Sequence, residues 1–318
     1  MKFFLRLRPF QKAQFNVGFS RGLASSADSV TNFDALERKK FVPSIESFAE
    51  LKQKIYGSDK SIEKMVVRTQ QLNSEKDVTM IMNRNQSTSY HCSLHLNSHL
   101  HERSAFAFIR DINDRDELIE DSEALVYGMN TPLTKKCHMQ FVEIANLEHV
   151  ELVNEIIWRS MTFFLSAIVK LGFRNPPEIL ERKAVVEDGY FYVDVGNMPG
   201  PELSPEELYR LNLFIKRDMI ACNAFFQQLV IPDNIAEEYG IPTGSQICRI
   251  DNFVDLVDGP LLCRTSAFDK FIIPKSIYLG DNKMRFFGIG LPKYQPIRSL
   301  TWDIVRTNAI RRITERQD

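Results

Sequence analysis

Hydrophobic and polar positions change period along the chain, and the period predicts most of its elements. Ile45, Phe48, Leu51 and Ile55 recur at helical steps, so a helix is expected that Ser44 caps and Gly57 ends. A second short polar helix is expected next, with Glu63, Lys64, Arg68 and Gln70 keeping it mostly solvated. Residues 43–73 thus read as two helices that bury little alone and pack on something else. From Val78 the texture changes. Val78–Met82 reads as a strand, Asn83-Arg84-Asn85 as a turn, the stretch near Cys92–Asn97 as a short helix and Ala105–Ile109 as a strand. Asp111–Ser122 is acid-rich with almost nothing to bury, which predicts an inserted loop. A turn at Leu133–Cys137 then feeds a last strand that ends at Val142, completing a small mixed β-grasp pattern.

The second half alternates long helical and short extended patterns. Val153, Ile156, Ile157, Met161, Phe164 and Ile168 predict a strongly apolar helix from Val150 to Leu171, with Gly172 as its stop. Strands at Ala184–Val186 and Tyr190–Val195 flank a turn at Glu187-Asp188-Gly189. Ser204 and Glu207 form a capping-box pair, opening a helix expected to reach about Leu229 on Leu208, Leu211, Phe214, Ile215, Met219 and Cys222. Ile247–Phe253 reads as one strand, and another follows Cys263. The last helix is expected from Arg298, carrying Leu300, Ile304 and Ile313 inward with Arg306, Arg311, Arg312 and Arg316 outward.

Composition narrows the class. The 318 residues are 44% apolar and 25% charged, ordinary values for a folded globular chain. With 40 basic against 41 acidic residues, bulk charge does not hold this chain to nucleic acid. Five irregularly spaced cysteines exclude a disulfide framework. The apolar run Met161–Val169 is about half of what a membrane span requires, so no span is expected. The first thirty residues differ from the rest. Lys2, Arg6, Arg8, Lys12 and Arg21 sit among Phe3, Phe4, Leu5, Leu7, Phe10 and Phe15, and the first acid is Asp28. An Arg-rich, acid-poor amphipathic start is the composition of a mitochondrial transit peptide. Cleavage near Ser20–Ala24 would remove those five positive charges and take the formal charge from -1 to -6. Contact with RNA must then come from a local patch. The layout is α+β in four parts: transit peptide 1–30, helical extension 31–76, β-grasp domain 77–145, and a larger α+β domain 146–318 with a C-terminal helix.

Few constellations carry chemistry. His91, His95 and His99 stand at four-residue steps near His101, Cys92, Cys137 and His138, a spacing that can hold zinc on a helix. The helical pattern breaks at Asn97-Ser98 and no CxxC pair is present, so a polar surface is the expected reading and no metal is assigned. Gly288-Ile289-Gly290 lacks the third glycine of a dinucleotide loop, and neither a P-loop nor G-x-S-x-G occurs. The acidic cluster Asp111–Glu123 lacks calcium-loop spacing. Lys170 with Arg174, and Arg298, Arg306, Arg311, Arg312 and Arg316, are the candidates for RNA or partner contact, because guanidinium matches phosphate bidentately.

Several segments line up with a known enzyme in order. Val78–Ile144, with Tyr127-Gly128-Met129-Asn130-Thr131-Pro132-Leu133, resembles the TGS domain of threonyl-tRNA synthetase. The helix around Trp158-Arg159-Ser160, then Glu187-Asp188-Gly189-Tyr190-Phe191-Tyr192, then Val254–Leu261 resemble its editing domain. The resemblance covers 78–315 and leaves nothing for an aminoacylation core. With a transit peptide in front, the layout is similar to the mitochondrial large-subunit ribosomal protein family numbered thirty-nine. Asn83–Thr88, Pro132–Cys137 and Gly259–Ser266 carry that likeness. The resemblance implies a structural protein of the large subunit in the mitochondrial matrix, supporting mitochondrial translation. It would touch rRNA and ribosomal proteins near the side where nascent chains emerge, with no cofactor and no small-molecule substrate.

The editing enzyme's H-x-x-x-H and C-x-x-x-H positions fall here on Arg159 and Phe163, and on Val257 and Leu261. Phe, Val and Leu carry no titratable proton and Arg stays charged, so none of the four can activate water. The resemblance therefore implies a fold that has lost its chemistry. A tRNA-binding factor and a free-standing hydrolase of mischarged tRNA are the alternatives.

Overall fold

A computed structural model describes residues 41–57, 62–70, 77–119, 122–198, 200–295 and 299–315, which pack into three β-sheets around one long helix. The expected transit peptide lies outside the described residues. The first helix, α1 (Ile45–Tyr56), starts as its sequence requires, with Ser44 and Ser47 exchanging side-chain and backbone bonds and Gly57 past its end at φ 77°. The expected second helix is instead strand β1 (Lys64–Gln70), antiparallel to β2 (Asp77–Asn83). Its charged residues favour a helix, but Met65, Val67 and Thr69 alternate into the core, and that period of two decides.

After β2 come α2 (Ser89–Leu96), the one-turn α3 (Leu100–Arg103), β3 (Ser104–Asp111), β4 (Leu125–Gly128) and β5 (Cys137–Glu143). They form one mixed sheet in the order β2-β1-β5-β3-β4, with β1 and β5 parallel at its centre. α2 and one face of the sheet enclose a core of Met65, Val67, Met80, Met82, Cys92, Leu133 and Met139. The acidic stretch after β3 is a loop, tied down where Lys135 pairs with Asp111 at 2.6 Å and Lys136 with Asp114 at 2.9 Å.

The spine of the molecule is α4 (Val150–Gly172). It is long and apolar enough to cross a bilayer, but thirteen of its residues are buried within the fold. One sheet beneath it contains β6 (Glu178–Val185), β7 (Tyr190–Gly196), β11 (Phe268–Ile272), β12 (Ser276–Gly280) and β13 (Lys283–Pro292). Every residue of β7 is buried because the sheet is covered on both sides. Phe191, Val193 and Val195 meet α4, while Tyr190 and Tyr192 turn to Phe287, Ile289 and the last helix, α7 (Ser299–Glu315).

Gly288 and Gly290 serve this packing rather than a phosphate. A Cβ on Gly288 would stand 2.1 Å from the Phe191 ring, and one on Gly290 would stand 2.7 Å from Met161 Sδ. Gly288→Ala is expected to destabilise the fold by about 1–3 kcal/mol through overpacking, read as a lower midpoint in urea unfolding. An unchanged midpoint would show that Phe191 yields freely.

The third sheet is β8 (Gln227–Val230), β9 (Gln246–Ile250) and β10 (Phe253–Val257), in the order β10-β9-β8. The single strand expected over Ile247–Phe253 is a hairpin here, turned at Asp251, whose φ is 50°. α1 and α6 (Asp233–Tyr239) cover this sheet, Phe48, Leu51 and Ile235 clustering with Leu229 and Ile247 of its strands, so the N-terminal helix packs on its own chain. The helix expected to reach Leu229 is α5 (Pro205–Phe214), capped by Ser204 and Glu207. It widens into a π-helical stretch at Ile215–Ile220 and breaks before Asn223, which has φ 52°.

Candidate functional site

The four positions singled out by the resemblance lie on α4 (Arg159, Phe163), at the end of β10 (Val257) and in the segment after it (Leu261). Phe163 is 1% exposed, Val257 5% and Leu261 0%, and all three belong to one apolar cluster that also holds Phe226 and Phe253. The Phe163 ring lies 5.2 Å from Phe253 and 6.2 Å from Phe226, centroid to centroid. Arg159 turns away from this cluster. Its Nη1 donates to the Pro260 carbonyl at 3.1 Å, and its Nη2 pairs with Glu155 one turn earlier. A Cβ on Gly259 would come within 2.9 Å of that guanidinium, so glycine lets the loop lie against it. A hydrolytic centre needs a general base and room for water; at these positions the chain places a phenyl ring, two aliphatic side chains and a tethered cation.

The polar groups around this plug bond backbone. Gln228 is 1% exposed; its Oε1 accepts from the Leu261 amide at 2.9 Å and its Nε2 donates to the Gly259 carbonyl at 3.1 Å. Ser160 Oγ accepts from the Leu262 amide at 2.8 Å. Asn130, in the loop after β4, donates to the Phe226 and Cys263 carbonyls at 3.1 and 2.6 Å. Arg182 reaches Asp255 at 3.5 Å and places its guanidinium 5.6 Å from the Phe163 ring. The Arg264 guanidinium lies 4.7 Å from the Tyr90 ring and 4.0 Å from Phe225, and it donates to the Tyr90 hydroxyl. Gln228, Asn130, Ser160 and Arg264 carry no periodic signal, because their partners lie far away in sequence.

Four of the five thiols are held unreactive by burial. Burial pushes Cys92, Cys137 and Cys263 up to about 12 and raises Cys248 as well, whereas Cys222 is exposed. A raised pKa means no thiolate at neutral pH, and thiolate is the reactive form. One cysteine is therefore expected to react quickly with iodoacetamide at pH 8, and the other four only in denaturant. Rapid loss of Cys263 in the native state would contradict this environment.

The histidines do not form a ligand set; among the described residues no group of three His, Cys, Asp or Glu side chains is placed to hold a metal. His91 Nδ1 instead accepts from the Thr88 amide at 3.1 Å, at the start of α2, and burial lowers its pKa.

The basic candidates are dispersed. Lys170 Nζ donates to the Pro177 carbonyl at 2.7 Å, and Arg174 is exposed at the end of α4. Arg306 pairs with Asp303 at 3.3 Å, Arg311 with Glu315 at 3.7 Å, and Arg312 with Asp188 at 3.7 Å. Spacings of five and one residues turn these three arginines ~140° and ~100° apart around the helix, so they share no face. Arg298 and Arg316 lie outside the described residues. The face of α7 expected to pack inward is also corrected: Leu300 and Ile304 are 69% and 54% exposed, while Trp302, Ala309 and Ile313 meet the sheet.

No family model matches the chain. Over 256 residues it is 25% identical to the Large ribosomal subunit protein mL39 of Drosophila melanogaster, covering 73% of this chain and 72% of that one. This relative agrees with the ribosomal family that the sequence motifs resemble.

Proposed function

We propose that the chain is a structural constituent of the mitochondrial large ribosomal subunit, working in the matrix by binding rRNA and neighbouring ribosomal proteins. The similarity to the ribosomal protein mL39 over most of both chains carries this reading. The domains are a TGS-like β-grasp that begins at β1 (Lys64–Gln70) rather than at the expected residue 77 and runs to 145, and a catalytically inert editing-like domain at 146–318, behind the segment that carries α1 and a transit peptide (1–30). Two features support that assignment. The first sheet has a parallel central pair, β1 with β5, and helices between its second and third strands. The positions equivalent to the editing residues lie at a closed apolar plug.

The function is one of surface and shape, and a fold carries such a role without its ancestral chemistry. Arg174 and the outer face of α7, with Arg311, Leu300 and Ile304, are available to rRNA or neighbouring proteins towards the nascent-chain exit side. Arg312 holds α7 to the Val186–Asp188 turn through Asp188. Purification of the tagged chain from mitochondria is expected to recover large-subunit rRNA in excess over small-subunit rRNA; recovery free of rRNA would overturn the proposal. Deacylation of seryl-tRNA by the purified chain is expected to match buffer alone, and turnover abolished by a substitution at Phe163 or Leu261 would refute the inert reading.

A further inference from the structure

We infer that the cavity between α3, the segment before β8 and the segment after β10 is a binding site for one water molecule, which bridges α3 of the first half of the chain to two segments of the second. His101 of α3, Asn223 and Arg264 line it, and its volume is about 30 Å³. One water needs roughly 10–15 Å³, whereas sites for small organic molecules begin at about 300 Å³. Three atoms of these side chains are closed off from solvent and have no hydrogen-bond partner among the described residues: His101 Nδ1, Asn223 Oδ1 and Arg264 Nε. A buried polar group in that state costs free energy, and one water commonly serves about three of them. His101 and Arg264 also meet at a single ring. Tyr90 lies 5.3 Å from the His101 ring, centroid to centroid, and 4.7 Å from the Arg264 guanidinium.

The donors and acceptors select the occupant. Arg264 Nε–H only donates and Asn223 Oδ1 only accepts, so the ligand must accept once and donate once. Burial lowers the His101 pKa, which keeps its ring neutral at pH 7 and able to take a third bond in either direction. A cation would meet Arg264 and Lys293 here. An anion would meet the Asn223 oxygen and the Glu102 carboxylate, to which the Tyr294 hydroxyl donates at 2.6 Å. Water is neutral, small enough and bonds both ways. Direct bonds already cross the same seam, from Asn130 to the Phe226 and Cys263 carbonyls and from Arg264 to the Tyr90 hydroxyl. The water adds α3 to them by tying His101 to two segments distant in sequence.

Two measurements with the full chain test the inference. In a crystallographic map fine enough to show ordered water, one round peak is expected within ~2.7–3.2 Å of Nδ1, Oδ1 and Nε. No peak, a direct bond between His101 and Asn223, or an anomalous signal at the site after a bromide soak, which marks an anion, overturns the inference. A double-substitution cycle in solution tests whether the partners share one ligand. His101→Phe keeps a ring, Asn223→Gly keeps a residue that tolerates φ 52°, and each removes one partner of the water. Either alone is expected to lower the thermal midpoint by a few degrees. Both together are expected to lower it by clearly less than the sum, because the first substitution already releases the water. Shifts that add overturn the shared site, since His101 Nδ1 and Asn223 Oδ1 are not bonded to each other. Where a variant does not fold, the map decides.

Discussion

Phe164→Ala is expected to cost about 3–5 kcal/mol of folding free energy, among the largest effects of any single truncation in this chain. The ring is fully buried at the middle of α4. It stacks on Phe268 at 5.1 Å and 25°, and meets Phe271 at 5.0 Å and Phe226 at 6.3 Å nearly edge-on. Removing it withdraws apolar area from the core and leaves a cavity whose walls come from α4, β11 and the segment before β8, which cannot all collapse inward. Urea unfolding followed by circular dichroism reads the loss. Tyr209→Ala, on the outside of α5 at 67% exposure, is the control and is expected to change stability by less than about 0.5 kcal/mol. Comparable losses for the two would mean that α4 is not the centre of the core.

Gln228→Met is expected to cost about 2–5 kcal/mol despite its similar volume, because two buried backbone groups lose their partners at once. The Leu261 amide and the Gly259 carbonyl have that one side chain between them, 33 and 31 residues away along the chain. The loop after β10 is then expected to open locally, so limited proteolysis should cut near Gly259–Leu261 faster than in the unsubstituted chain. A loss below about 1 kcal/mol with unchanged cleavage would mean that water serves both groups, and that the loop is held by Arg159 and Ser160 instead.

These two residues differ in how far the sequence announces them. Phe164 sits on the apolar stripe of α4, where helical spacing, an uninterrupted pattern and a stop at Gly172 all agree. Gln228 bonds backbone across the fold, and no period records such a partner. The same division runs through the rest of the fold. β1 carries helix-favouring Lys, Arg and Gln but pairs as a strand, because tertiary burial of Met65 and Val67 outweighs local preference. The hairpin β12–β13 is marked in sequence only at Gly280-Asp281-Asn282, where Asp281 and Asn282 both have positive φ as a two-residue turn requires. On α7, Leu300 and Ile304 face outward, and Trp302, Val305, Ala309 and Ile313 form the continuous apolar stripe, from which Trp302, Ala309 and Ile313 meet Tyr190, Phe287 and Ile289.

The site divides in the same way. The resemblance to an editing domain points to Arg159, Phe163, Val257 and Leu261; in the fold Arg159 bonds the Pro260 carbonyl, and the other three are buried in one apolar cluster. The arginines of α7 share a helix in sequence but separate in space, since 3.6 residues per turn points them to different sides. A carboxylate partner for each of Arg306, Arg311 and Arg312 further lowers the charge they offer outward. The cavity of His101, Asn223 and Arg264 draws on three separate segments and exists only once they are packed together.

Sedimentation of mitochondrial lysate through a sucrose gradient, after a high-salt wash, tests the structural role most directly. A subunit component held by extended surfaces is expected to stay in the large-subunit fractions when exposed ionic contacts are screened. Release of most of the chain to the top of the gradient, with the large subunit itself intact, would contradict the account.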